Sequence, residues 1–170
     1  MAFTMTLSEE NVYPPLPSLA DEKAKACKRV DFITSVTILN GFDYTFNGKT
    51  YHFSFNTEDQ ANFVQESIRA STFVSAGNAA EYTATWRGHL PDGTAESLTL
   101  NITEFQTLLL YSGTWKASVL SHGWDVKNNI RNCESKSALT DYLNEINLDV
   151  QERDARDIHD ELQKKSEFNI

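Results

Sequence analysis

Residues 40–63, NGFDYTFNGKTYHFSFNTEDQANF, decide the fold. Asn40-Gly41 is a helix C-terminal signal, because a glycine just past the last turn accepts the left-handed conformation that caps it. Phe42, Tyr44 and Phe46 then alternate with Asp43 and Thr45. Asn47-Gly48 supplies the positive φ angles of a two-residue type I′ turn, and Tyr51, Phe53 and Phe55 alternate on the way back. The return strand is expected to run to Asn56. Thr57-Glu58-Asp59-Gln60 reads as a capping box that opens a helix with Phe63, Val64 and Ile68 on its buried face.

Upstream, Ser18 can cap a helix with Asp21 and Glu22 in its first turn, where the macrodipole favours carboxylates. Cys27, Val30, Ile33 and Val36 recur behind it at helical spacing. The run VDFITSVTIL is β-branched enough for a strand, but the stop at Asn40-Gly41 favours helix. Residues 1–17 hold Pro14, Pro15 and Pro17 and are expected to be an extended arm, either disordered or docked on a neighbouring surface.

Downstream, Ser71 to Ala80 is a small-residue loop. A second hairpin follows, with Tyr82, Ala84 and Trp86 alternating, a turn at Pro91-Asp92-Gly93, and Leu98, Leu100 and Ile102 returning. Thr103-Glu104-Phe105-Gln106 is a second capping box directly after a strand. Phe105, Leu108, Leu109, Trp115, Val119, Val126 and Ile130 form the apolar side of a long helix, which Gly113 and Gly123 should bend or break at a cost of up to about 1 kcal/mol each. Ser135 or Ser137 caps a short helix carrying Leu139, Leu143 and Ile146. Residues 149–167 are densely charged, with Glu152–Arg156, Asp160–Lys164 and Glu161–Lys165 placed to pair, and only Val150, Ala155, Ile158 and Leu162 to bury. So thin a stripe suits a helix docked on a partner chain or weakly on its own domain. The expected organisation is an arm over 1–17, an α+β domain over 18–147 with two hairpins in one small antiparallel sheet and helices on one face, and a charged helical extension over 148–170.

Composition narrows the function classes. The chain has 170 residues, 15 Lys+Arg against 24 Asp+Glu, and a formal charge of -9. With no basic patch to offset that acidity, a nucleic-acid partner is not expected. No window is apolar enough for a membrane span. No basic-then-apolar leader opens the chain, and Cys27 and Cys133 stand far apart outside any CxxC, as two thiols of a reducing compartment would. A soluble, non-exported protein is expected.

Sites are sparse. His52, His89, His122 and His159 lack metal-ligand spacing, so no metal or cofactor is expected. Asp59 and Asp92 sit where aspartate is favoured by the backbone alone, and Asp125 lies in no hydrolase signature. There is no G-x-S-x-G elbow, P-loop or G-x-G-x-x-G, and no catalytic residue is assigned. Trp86 and Trp115 read as core or interface anchors. Trp124 falls off the stripe of Phe105 and Leu109 and is the leading partner-binding candidate, with Val150, Ile158 and Leu162 of the charged helix beside it.

Several of these features recur together in a known family. Gly41-Phe42, Tyr44 to Phe46, Asn47-Gly48, Tyr51 to Phe53 and Gln60-Ala61-Asn62-Phe63, then Trp86, Asp92-Gly93, Leu98 to Ile130 and Ser135 to Ile146, resemble a domain of unknown function common in tail- and fibre-associated proteins of tailed bacteriophages. The likeness covers roughly residues 20–147, and Asp43-Tyr44 look like extra residues that lengthen the first hairpin. The resemblance implies a phage virion or assembly protein with no assigned catalytic activity. Its partners would be other phage structural proteins and further copies of itself, met in the particle and, during assembly, in the host cytoplasm. The rivals are a phage-encoded soluble factor, such as an assembly chaperone or an inhibitor of a host defence, and an enzyme on cell-wall sugar.

Overall fold

A computed structural model describes residues 16–167. The elements run α1 (Leu19–Asn40), β1 (Phe42–Phe46), β2 (Lys49–Phe53), α2 (Thr57–Ser75), a 3-10 turn (Ala79–Glu81), β3 (Thr83–His89), β4 (Ala95–Asn101), α3 (Ile102–Asn132), α4 (Lys136–Glu145) and α5 (Leu148–Glu167). The four strands form one antiparallel sheet in the order β1-β2-β3-β4, so the fold is α+β with two hairpins side by side. The arm expected over residues 1–17 lies almost wholly outside the described residues.

Backbone chemistry at the turns sets the first hairpin. Gly41 ends α1 at φ 105°, and a Cβ there would stand 1.9 Å from the Phe53 carbonyl oxygen. Helix end and return strand thus meet at a point only glycine can occupy. Asn47 and Gly48 both take positive φ, 50° and 77°, and Phe42 pairs with Phe53 through to Phe46 with Lys49. The hairpins join through a short β2–β3 pairing at His52 and His89, beside which Gly88 leaves room for Tyr51, 2.9 Å from where its Cβ would lie.

The helix caps lie earlier than expected. Asn56, not Thr57, accepts from the Asp59 N–H while Asp59 reaches back, and Asn101, not Thr103, does the same with Glu104. Asparagine is as good a cap as serine or threonine, and each sits where the chain turns out of the sheet. For the same reason β2 stops at Phe53 rather than running to Asn56. Ser18 caps α1 with Asp21 completing the box, and Ser135 caps α4.

Two cores result. One lies between the sheet, α2 and the first half of α3, and holds Phe42, Phe53, Phe63, Tyr82, Leu100, Phe105 and Leu108. The other, among α1, the second half of α3, α4 and α5, holds Ala26, Val30, Ile130, Leu139 and Leu148. Residues expected to bury in α2 divide sharply. Phe63 is buried, whereas Val64 and Ile68 are 60% and 63% exposed, because the buried side follows Phe63 and Ala70 two turns on. Nor is α3 broken; it is one continuous helix from Ile102 to Asn132. Gly123 is buried against α1, where a Cβ would meet Thr34 Oγ1 at 2.6 Å, so the glycine buys close helix packing.

Residues 148–167 form α5, which packs along α1. Leu148 and Ala155 are buried, and Arg29 of α1 pairs with both Asp149 and Glu152. Glu152–Arg156 closes at 2.5 Å. Asp160–Lys164 and Glu161–Lys165 do not form ion pairs, in keeping with the few tenths of a kcal/mol such exposed pairs offer.

Candidate protein-contact surface

The outward side of α3 is set by what its inward side buries. Phe105, Leu108 and Ser112 face the sheet core, and Gly123 and Ile130 face α1. At 3.6 residues per turn the opposite side carries Leu110, Gly113, Thr114, Ala117, Ser121 and Trp124, all exposed. Leu110 is 71% exposed and Trp124 57%. From Phe105 to Trp124 the only Lys, Arg, Asp or Glu is Lys116, and its Nζ donates to Gln60 Oε1 on α2 at 2.6 Å, away from this side. The result is a neutral helical face with a large apolar residue toward each end, on a molecule with a formal charge of -9.

The other partner-binding candidates do not join it. Val150 is 44% exposed near the start of α5, while Ile158 and Leu162 are half-buried on the same helix. Helical spacing turns Val150 away from the side shared by Ala155, Ile158 and Leu162, so the four do not make one stripe. Beside them α1 and α5 frame an open groove of about 660 Å³, lined by Lys25, Lys28, Arg29, Phe32, Glu152 and Arg156. The Arg156 guanidinium lies 5.4 Å from the Phe32 ring centroid, and the His159 ring lies 5.8 Å from it. The hydrogen bond from Arg156, opposed by burial and reinforced by Arg29, holds the Glu152 carboxyl below its ordinary value. Two of the groove's cations, Arg29 and Arg156, are thereby engaged with Glu152, and Arg29 holds α5 to α1.

The open face of the sheet is polar, with Asp43, Thr45, Thr50, Thr85, Arg87 and Thr99 exposed. His52 ties the hairpin to the helix end, its Nδ1 2.8 Å from Asp43 Oδ1 and its Nε2 2.8 Å from the Asn40 carbonyl oxygen. Tyr82 does similar structural work between α2 and β3. Its hydroxyl donates to Glu66 at 2.6 Å while Arg69 lies over its ring, and burial, with Glu66 adding, pushes its pKa up. Among the described residues no three His, Cys, Asp or Glu converge to hold a metal ion, and no helix is long and apolar enough to cross a membrane.

Trp124 was legible in the sequence as the aromatic residue off the buried stripe. Leu110 was not singled out, although it lies on the same side. The signal that finds both is the opposite side of the helix, traced for charge rather than for hydrophobicity. Compared with known proteins, the chain matches no family model, no curated protein and no solved structure.

Proposed function

We propose that this chain is a non-enzymatic structural component of a tailed-phage particle, tail- or fibre-associated, that acts through protein–protein contacts. The observation that carries the contact role is the neutral outer face of α3, with Leu110 and Trp124 held exposed on a continuous helix. Large apolar side chains on a continuous helix, on a side that carries no charged residue from Gln106 to Trp124, match the composition of interface centres. The phage setting rests on the sequence resemblance over residues 20–147. Other phage structural proteins and further copies of the chain are the partners in this reading, with the exposed Val150 near the start of α5 as a second contact point, while Ile158 and Leu162 are half-buried on another side of that helix. The reading calls on no catalytic group and no cofactor.

A soluble factor acting inside the host, such as an assembly chaperone or an inhibitor of a host defence, is the second reading, and the acidic balance of the chain favours it. Quantitative mass spectrometry of purified particles separates the two. A fixed copy number per particle is the expected result. Complete absence from particles, with the protein abundant in infected-cell lysate, would overturn the structural role in favour of the soluble factor.

A further inference from the structure

We propose that the groove between α1 and α5 is the seat of this chain's own N-terminal arm, with Glu9 and Glu10 held by Lys25 and Lys28. This seat is independent of the phage setting and of the outer face of α3.

Charge in the groove is unbalanced. Lys25, Lys28, Arg29 and Arg156 line it against Asp149 and Glu152. Arg29 pairs with both carboxylates and Arg156 adds a second bond to Glu152, so the groove's acids are already matched by its arginines. The two lysines are the surplus. Both are exposed, and neither makes a hydrogen bond or ion pair with a described residue. They stand one helical turn apart beside an open groove of about 660 Å³. On a chain with a formal charge of -9, such a local positive site attracts a segment that carries carboxylates.

The arm supplies that segment. Among residues 1–15 the only charged side chains are Glu9 and Glu10. Their nearest alternatives are taken, because the other cations by the start of α1 have partners. Lys23 donates to the Arg131 carbonyl oxygen at 2.7 Å, Arg131 to Asn128 at 3.0 Å, and Lys136 pairs with Glu22 at 2.9 Å.

The point where the arm joins α1 also favours the groove. Lys136, while paired with Glu22, donates to the Pro17 carbonyl oxygen. Glu22 precedes Lys25 and Arg29 by one and two turns on the same side of α1. The last described residues of the arm are thus fixed on the side of α1 that leads into the groove. Lys28 lies about 15 Å from Ser18 along the helix at 1.5 Å per residue. Eight residues of extended, Pro-rich chain from Ser18 back to Glu10 cover about 25 Å, which leaves length for the chain to double back. So short a tether gives an effective concentration in the millimolar range, and the arm outcompetes an acidic segment of another protein at micromolar level.

Carbodiimide cross-linking of the full chain at low salt tests the seat. The reagent condenses a carboxylate and an amine in contact into an amide and takes up the water as a urea. Peptide mapping should find Glu9 or Glu10 joined to Lys25 or Lys28 about tenfold more often than to Lys49, which lies on the sheet beyond the far end of α1. The link should vanish at 1 M salt, where the screening length is about 3 Å. Lys25→Glu/Lys28→Glu and Glu9→Lys/Glu10→Lys, each alone, should give no link between arm and groove, and the two pairs combined should restore it with the polarity reversed. All three variants should keep the circular dichroism of the wild type. Absence of the link, persistence at high salt, equal linking to Lys49, linking to Lys136 instead, or no restoration in the combined variant would overturn the proposal. So would links that join labelled to unlabelled chains in an isotope-mixed sample, since they would place the arm on a second copy.

Discussion

Gly41 shows how much of this fold turns on single residues. It stops α1, starts β1 and lets the helix end touch the β2 carbonyl of Phe53, all at φ 105°. Alanine there would be both strained and in collision, so Gly41→Ala should destabilise by more than about 3 kcal/mol. For a chain of this length that lowers the thermal midpoint by roughly 10 °C. A variant melting within a degree or two of wild type would show that the junction is not the constraint described. This residue was legible in the sequence because Asn-Gly carries its meaning locally, as does Asn47-Gly48 at the hairpin. The caps at Asn56 and Asn101 were harder to place. A threonine followed by a glutamate or glutamine looks as good in sequence as an asparagine one or two residues earlier, and only the departure of the chain from the sheet decides between them.

At the scale of elements, periodicity and the stop and start signals placed the five helices and four strands, but α2 runs on to Ser75 and a 3-10 turn follows at Ala79–Glu81, inside the stretch expected as a loop, and periodicity did not settle which side of α2 would bury. Val64 and Ile68 are as apolar as a core needs, yet the sheet meets α2 through Phe63 and Ala70. That choice depends on the angle at which helix and sheet meet, which local sequence does not specify. The same holds for α5, whose thin apolar side is compensated by the Arg29, Glu152 and Arg156 cluster against α1. The cluster gives α5 a pH dependence of known sign. The folded Glu152 carboxyl titrates below its ordinary value of 4.5. Its contribution is therefore complete above that value and is lost as pH falls through the lower folded one. Amide hydrogen exchange at decreasing pH should show α5 losing protection before the sheet does. Glu152→Gln should remove most of that difference and lower the protection of α5 at neutral pH. Simultaneous loss in helix and sheet, unaffected by the substitution, would contradict the role given to this cluster.

On the scale of the whole molecule, two cores are joined by α1 and α3, each of which contributes buried residues to both. Its inner side holds the halves together, and its outer side is continuous from Ile102 to Asn132. The sequence disclosed half of that surface. Trp124 stood out as an aromatic residue off the buried stripe, whereas Leu110 looked like one more leucine in a run of three until the helix proved unbroken through Gly113 and Gly123. The central claim is that this chain enters a phage particle through the exposed face of α3. Comparing incorporation of wild type and Trp124→Glu in purified particles tests it most directly, with both proteins produced at equal level in infected cells. The account predicts wild type in the particles and the folded variant left in the soluble fraction; equal incorporation of the two would contradict it.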